Sequence, residues 1–133
     1  GGGSDSDEFD AEALLAEAEA EERKNFESVA GMVSQRVIQS EIQLCDKRIR
    51  ELVGTAGCEN AEFRKEELEV RLEEINTNLS FGITSAKDYV MEMKDTMKRN
   101  IEQAAELQRG GRTQEAARVM QWVKIMQEEL KGK

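Results

Sequence analysis

The chain has 133 residues, a formal net charge of −9, and neither proline nor histidine. So acidic a chain lacks the basic face that neutralises phosphates, which argues against binding of DNA or RNA and against adsorption to an anionic membrane surface. No apolar run is long enough to span a bilayer and no signal peptide is visible, so we expect a cytoplasmic protein without direct membrane insertion.

The residues that usually carry catalysis and metal binding are scarce. Histidine, the commonest general base, is missing, and Tyr89 and the scattered serines have no evident base to activate them. Cys45 and Cys58 are too few to form a zinc site, and Cys45 falls on an apolar stripe that predicts a buried, reduced thiol. We therefore expect no enzymatic activity, no cofactor and no metal.

The composition predicts an all-α fold. Ala, Glu, Lys, Arg, Gln, Leu and Met dominate the chain, and these residue types lose little side-chain freedom in a helix. Because proline breaks helix interiors, its absence favours long helices. We expect long amphipathic helices that form an antiparallel helical bundle or coiled coil and end in a helical hairpin.

The N-terminal fifth of the chain, residues 1–25, divides into two segments. Residues 1–4, GGGS, are typical of an expression linker, and residues 5–25 form an acidic leader around Phe9. This leader is either a solvated helix N-terminus or a short motif that presents Phe9 to a basic, apolar groove of a partner. Residues 26–133 are then the helical domain.

A heptad-like apolar pattern predicts a first helix from Phe26 to Val53, about 42 Å long. Its apolar positions are Phe26, Val29, Val33, Ile38, Ile42, Cys45, Ile49 and Leu52. This helix is longer than any later one, so it would leave seam residues uncovered, which favours a homo-oligomer.

Three further helices follow. The second runs from near Asn60 to about Asn78. Ser85 begins the third, which ends near Arg109 and buries one stripe composed of Ala86, Val90, Met93, Met97, Ile101 and Ala104. A Gly110-Gly111 turn leads to the fourth, for which Thr113 is a good N-cap residue. With so short a link, residues 85–131 form an antiparallel C-terminal hairpin.

The fourth helix is apolar over an unusually wide arc. Eight of the eleven residues from Ala116 to Met126 are apolar, too many for a single seam. Its main seam is Ala116, Val119, Val123, Met126 and Leu130, and a second stripe contains Arg118, Trp122 and Ile125. Either Trp122 packs against the first helix, or Trp122, Ile125 and Met120, with Arg118 beside them, form a partner-binding hot spot.

Residues 101–130, IEQAAELQRGGRTQEAARVMQWVKIMQEEL, resemble the Rab-binding helical hairpin of rabenosyn-type endosomal effectors. The shared features are an Ile-led helix with Gln-Ala, the Gly111-Arg112 turn, Glu115 after the cap and a closing Gln127-Glu128. The resemblance implies binding of a GTP-loaded small GTPase across both helices. The stretch also resembles the hairpins of MIT and related modules and of tetratricopeptide modules, which imply ESCRT-type or short-peptide partners.

These observations lead to one leading functional hypothesis and two alternatives. The leading one is a protein-binding scaffold or adaptor in membrane traffic, such as vesicle trafficking, or in cytoskeletal organisation, whose C-terminal hairpin binds a partner such as a small GTPase. The first alternative is a coiled-coil oligomerisation domain of a larger protein. The second is an ESCRT-associated helical hairpin.

Overall fold

The structure, a computed structural model, describes residues 28–132 together with Ala11 and Leu14. Within these residues the chain forms one 3₁₀ turn and four α-helices, with no strand. The turn spans Val29–Gly31, and the helices are α1 (Gln35–Glu51), α2 (Ala56–Ser80), α3 (Ala86–Arg109) and α4 (Thr113–Lys131). The all-α prediction is therefore confirmed. The predicted linker and Phe9 lie outside the described residues.

The four helices form two hairpins that pack together. α1 packs against α2, α3 packs against α4, and α1 also packs against α4, so that the α1–α4 interface joins the hairpins. Contacts of Ser34 with Glu129 and of Glu41 with Trp122 show that α1 and α4 run antiparallel. The antiparallel helical bundle predicted from the sequence is thus the observed architecture.

The core runs through all four helices and the 3₁₀ turn. Its fully buried side chains include Ile38, Leu68, Met93, Val119 and Met126. Cys45 is a buried free thiol, as predicted, and Cys58 is also free and buried. The wide apolar arc of α4 is explained by its central position, since α4 contacts α3 on one side and α1 on the other.

α1 begins nine residues later than the sequence pattern predicts. The predicted start at Phe26 is wrong, because residues 32–34 separate the 3₁₀ turn from a helix that begins at Gln35. Ser34 has extended backbone angles and its hydroxyl accepts a hydrogen bond from the Val37 N–H, so Ser34 is the N-cap. α1 therefore has 17 residues against 25 in α2, which removes the predicted excess length as a reason for self-association.

The bounds of the other helices agree more closely with the prediction. α2 extends four residues earlier and two residues later than predicted, while α3 has the predicted bounds, and the Ser85 hydroxyl accepts a hydrogen bond from the Asp88 N–H. The prediction of Thr113 as an N-cap is wrong. Thr113 is the first helical residue of α4, and Arg112 occupies the cap position.

The buried seam of α3 differs from the predicted apolar stripe. It steps by four and three residues through Tyr89, Met93, Thr96, Asn100, Gln103 and Leu107, which are buried or half-buried. Met93 and Ala104 are buried as predicted, whereas Ala86 and Ile101 are exposed. The apolar pattern missed this seam because polar side chains occupy the middle of it.

Candidate protein-interaction site

Trp122, the predicted anchor of a partner-binding site, lies in the α1–α4 interface. Its side chain is only 5% exposed, and its indole N–H donates a hydrogen bond to Glu41 Oε2 at 3.1 Å. The Arg118 guanidinium lies 5.7 Å from the centre of the indole ring, within cation–π distance. In this structure Trp122 therefore packs against the first helix, which is one of the two roles predicted for it.

Glu41 is the acceptor at the centre of this interface. The buried carboxylate also accepts hydrogen bonds from Arg118 of α4 and, at 3.2 Å, from Arg64 of α2. Burial raises the pKa of Glu41. Arg118, Trp122 and Arg64 together lower it by a larger amount, so the pKa lies below its ordinary value. An ionised carboxylate thus connects α1, α2 and α4.

A second buried carboxylate, Glu129, connects the ends of three elements. Glu129 Oε1 accepts hydrogen bonds from the Ser34 hydroxyl at 2.7 Å and from the Arg36 N–H at 3.3 Å. Because these donors belong to the N-terminus of α1, the carboxylate also lies at the positive end of that helix dipole. Glu129 therefore helps to fix the point at which α1 begins.

Tyr89 completes the Glu129 cluster from α3. Its hydroxyl donates to Glu129 Oε2 at 2.6 Å and accepts from the Gln35 N–H at 2.8 Å. Burial raises the pKa of Tyr89 well above its ordinary value, and the adjacent Glu129 adds to this effect. The Gln35 N–H acts in the opposite direction but is outweighed. The phenol is therefore a neutral, structural hydrogen-bonding group.

The remaining predicted site residues are divided between core and surface. Ile125 is half-buried and packs against the core, and the Arg118 side chain is largely buried against Glu41. Met120 is 43% exposed on the opposite side of α4. Phe9 lies outside the described residues. Met120 is thus the predicted residue of α4 that is most available to a partner, and partner binding by any of these residues stays a prediction.

Met120 borders a shallow groove across the C-terminal hairpin, which we call the hairpin groove. It has a volume of about 360 Å³, and Ile101 of α3, which is 46% exposed, lies at the same groove. Small side chains form much of the lining between them, namely Ala104, Ala105, Ala116 and Ala117. The exposed, flexible Met120 and the exposed Ile101, around a floor of alanines, allow close approach of an apolar partner surface.

The sequence pattern assigned Ile101 to the core and so missed its place in this groove. Ile101 lies about a third of a turn around α3 from the buried seam that includes Met93 and Leu107, at about 100° per residue. Tyr89, Met93 and Leu107 share one heptad-spaced stripe if the polar residues between Met93 and Leu107 are included in it. That spacing is the signal in the sequence that would have predicted the seam. It would have left Ile101 on the outer face.

In comparisons with known proteins, no family model, no curated protein and no solved structure matches the chain. Among the described residues, no helix is long and apolar enough to cross a membrane. Within the same residues, no three Cys, Asp or Glu side chains cluster in a way that could hold a metal ion.

Proposed function

We propose that this chain is a non-enzymatic protein-interaction module, a cytoplasmic scaffold or adaptor in membrane traffic or cytoskeletal organisation. Its hairpin groove binds a small GTPase in the GTP-loaded state. The observation that carries this proposal is the exposed pair Ile101 and Met120, one from each helix of the hairpin, at a common groove.

Two features of the hairpin support this function. Both groove residues lie within residues 101–130, the stretch whose sequence resembles Rab-binding hairpins, and both helices contribute, as that mode of binding requires. In addition, α4 is held from behind by the hydrogen bonds that Glu41 and Glu129 accept. A rigid support lowers the entropic cost of binding at the opposite face.

The proposal is tested by binding of the full chain to a panel of purified small GTPases, each loaded either with a non-hydrolysable GTP analogue or with GDP. We expect at least one member to bind with a preference of about tenfold or more for the GTP-analogue form. Binding that is equal for both nucleotides, or absent across the panel, would contradict the GTPase proposal.

Substitutions identify the surface that is used. Met120→Asp and Ile101→Asp each place a charge at the hairpin groove and are expected to weaken binding by about tenfold or more. Met91→Asp is the matched control, because Met91 is an exposed methionine of α3 that does not line this groove. All three variants should keep the wild-type helicity, since none of these side chains is buried.

A structural oligomerisation domain is the second candidate. It is favoured by Phe81 and Ile83, two large apolar side chains that are exposed in the turn between α2 and α3. In that case Phe81→Ser and Ile83→Ser would reduce the mass measured by light scattering. The leading proposal instead predicts that these two variants leave GTPase binding unchanged.

A further inference from the structure

We propose that a second surface, on the outer side of α2, binds a basic amphipathic helix of a partner protein. This surface, the α2 groove, lies between α2 and the 3₁₀ turn and has a volume of about 430 Å³. Its lining includes the apolar side chains Val29, Phe63 and Val70 and the acidic side chains Glu66, Glu67 and Glu74.

The apolar part of the groove is exposed. Phe63 is 67% exposed and Val70 is 61% exposed, and their spacing of seven residues places both on one face of α2. Val70 lies about 200° around the helix from Leu68, a fully buried residue of the core. The groove is thus a separate apolar surface and not the edge of the seam that α2 buries.

Acidic side chains dominate the polar part. α2 contains seven glutamates and three basic residues. The basic side chains are held in ion pairs on the bundle itself, Arg64 with Glu41 at 3.2 Å, Lys65 with Asp46 at 2.7 Å, and Arg71 with Glu74 at 3.1 Å. Arg71 also lines the groove, where its pair with Glu74 offsets one carboxylate, so Glu66 and Glu67 carry the field that attracts Lys and Arg.

The same charge argues against two other occupants. The chain's own leader, residues 5–25, contains nine acidic and two basic residues, so its carboxylates would be repelled by those of the groove. A second copy would bring together two surfaces of the same sign, on a chain of net charge −9. An amphipathic helix with an apolar stripe between Lys or Arg residues matches both parts of the groove.

The length of the groove sets the size of the ligand. Phe63 to Glu74 covers eleven residue steps, or about 16 Å along the helix axis, which corresponds to about three turns of a bound helix. The probe is therefore a fluorescein-labelled peptide of about 18 residues, built from Leu and Lys with helical periodicity. A peptide of the same pattern with Glu in place of every Lys is its control.

Binding is measured by fluorescence anisotropy on the full chain. We expect the Lys peptide to bind, with an affinity that falls as salt rises from about 50 to about 300 mM, and the Glu peptide not to bind. Phe63→Ser and Val70→Ser should each weaken binding of the Lys peptide by about tenfold or more. Failure of the Lys peptide to bind, or equal binding to both of these variants and the wild type, would overturn the proposal.

A second comparison separates the groove from general attraction to an acidic protein. Glu66→Lys with Glu67→Lys should weaken binding by about tenfold, whereas Glu102→Lys with Glu106→Lys, an equal charge change on exposed positions of α3, should change it less than about threefold. Equal losses in both double variants would refute a specific site. Met120→Asp should leave peptide binding unchanged, so this test is independent of the hairpin groove.

Discussion

At the scale of single residues, the Glu41 carboxylate shows how burial and charge pairing compete. Removing a carboxylate from water costs several kcal/mol, and that cost is recovered only if charged or polar donors surround it closely. Arg118, Arg64 and Trp122 supply those donors. Because the net effect lowers the pKa of Glu41, the donors outweigh the burial.

We predict that Glu41→Ala lowers the free energy of unfolding by about 3–5 kcal/mol, because it leaves a largely buried Arg118 guanidinium without this carboxylate. Urea unfolding followed by fluorescence measures this loss, since Trp122 is the single tryptophan of the chain. Glu69→Ala, at an exposed position of α2, is the control and should change stability by less than about 0.5 kcal/mol. Similar small losses for both variants would mean that the Glu41 cluster contributes little.

The same carboxylate gives a prediction for acid pH. The pKa of Glu41 is lower in the folded chain than the ordinary value of 4.5. As the pH falls, Glu41 therefore becomes protonated at a higher pH in the unfolded chain than in the folded chain. The stabilising contribution is therefore present above about pH 4.5 and is lost as the pH falls through the folded pKa. Urea midpoints measured from neutral to acid pH should fall less steeply in Glu41→Gln than in the wild type. Parallel curves would contradict the lowered pKa.

Tyr89 gives the opposite prediction, at alkaline pH. Its pKa in the folded chain lies above the ordinary value of 10.0, so its contribution to stability is present below pH 10.0 and is lost as the pH rises further. Tyr89 is the single tyrosine, so phenolate absorbance reports it alone. We expect little phenolate at pH 10.0 in native protein and about half in urea-unfolded protein. A native titration midpoint at the ordinary value would show that the phenol is neither buried nor held by Glu129.

At the scale of helices, the glycine turn between α3 and α4 offers a matched pair of positions. Gly111 has a positive φ of 78°, a conformation that strains residues with a Cβ. Gly110 has a φ of −81°, and a Cβ there would meet only ordinary contacts with backbone oxygens at 3.6 Å.

We therefore expect Gly111→Ala to destabilise the chain by about 1–2 kcal/mol and Gly110→Ala to be neutral or slightly stabilising. Thermal unfolding followed by circular dichroism compares the two variants with the wild type. Equal effects would mean that the turn can rearrange to accept a side chain at Gly111.

The helices that the sequence predicted best are those with local start and stop signals. Ser85 and the Gly110-Gly111 turn fix the bounds of α3 through contacts within a few residues. The start of α1 could not be predicted in this way. Val29 and Val33 have helical spacing, but the cap at Ser34 is strengthened by Glu129, which is 95 residues away in the chain.

At the scale of the whole molecule, the candidate site was only partly predictable. The sequence singled out Met120 and the C-terminal hairpin. It left Trp122 as either core or partner-binding and assigned Ile101 to the core, and both assignments depend on which face of each helix packs against its neighbour. That choice is made at the α1–α4 interface, where Glu41 pairs with Trp122 and Arg118. An apolar pattern cannot show an interface that buried polar side chains define.

The arrangement of the seams predicts a monomer in solution. The main apolar seams of the described helices are buried within the bundle. Light scattering behind size exclusion should therefore give a mass near 15.0 kDa that does not change with protein concentration. A mass that rises with concentration would indicate that exposed residues such as Phe81 associate, and would favour the oligomerisation domain over the adaptor.

The α1–α4 interface also implies an order of folding. Each hairpin is closed by a short turn, whereas hydrogen bonds across the interface join residues 77 to 95 positions apart. Local contacts cost less loop-closure entropy, so we expect the hairpins to form first and to dock last. Weakening the contacts of Trp122 and Arg118 with Glu41, which cross this interface, should then accelerate unfolding with little effect on the rate of folding. In its folding kinetics we therefore expect the chain to resemble two tethered subunits, whose association completes the native state.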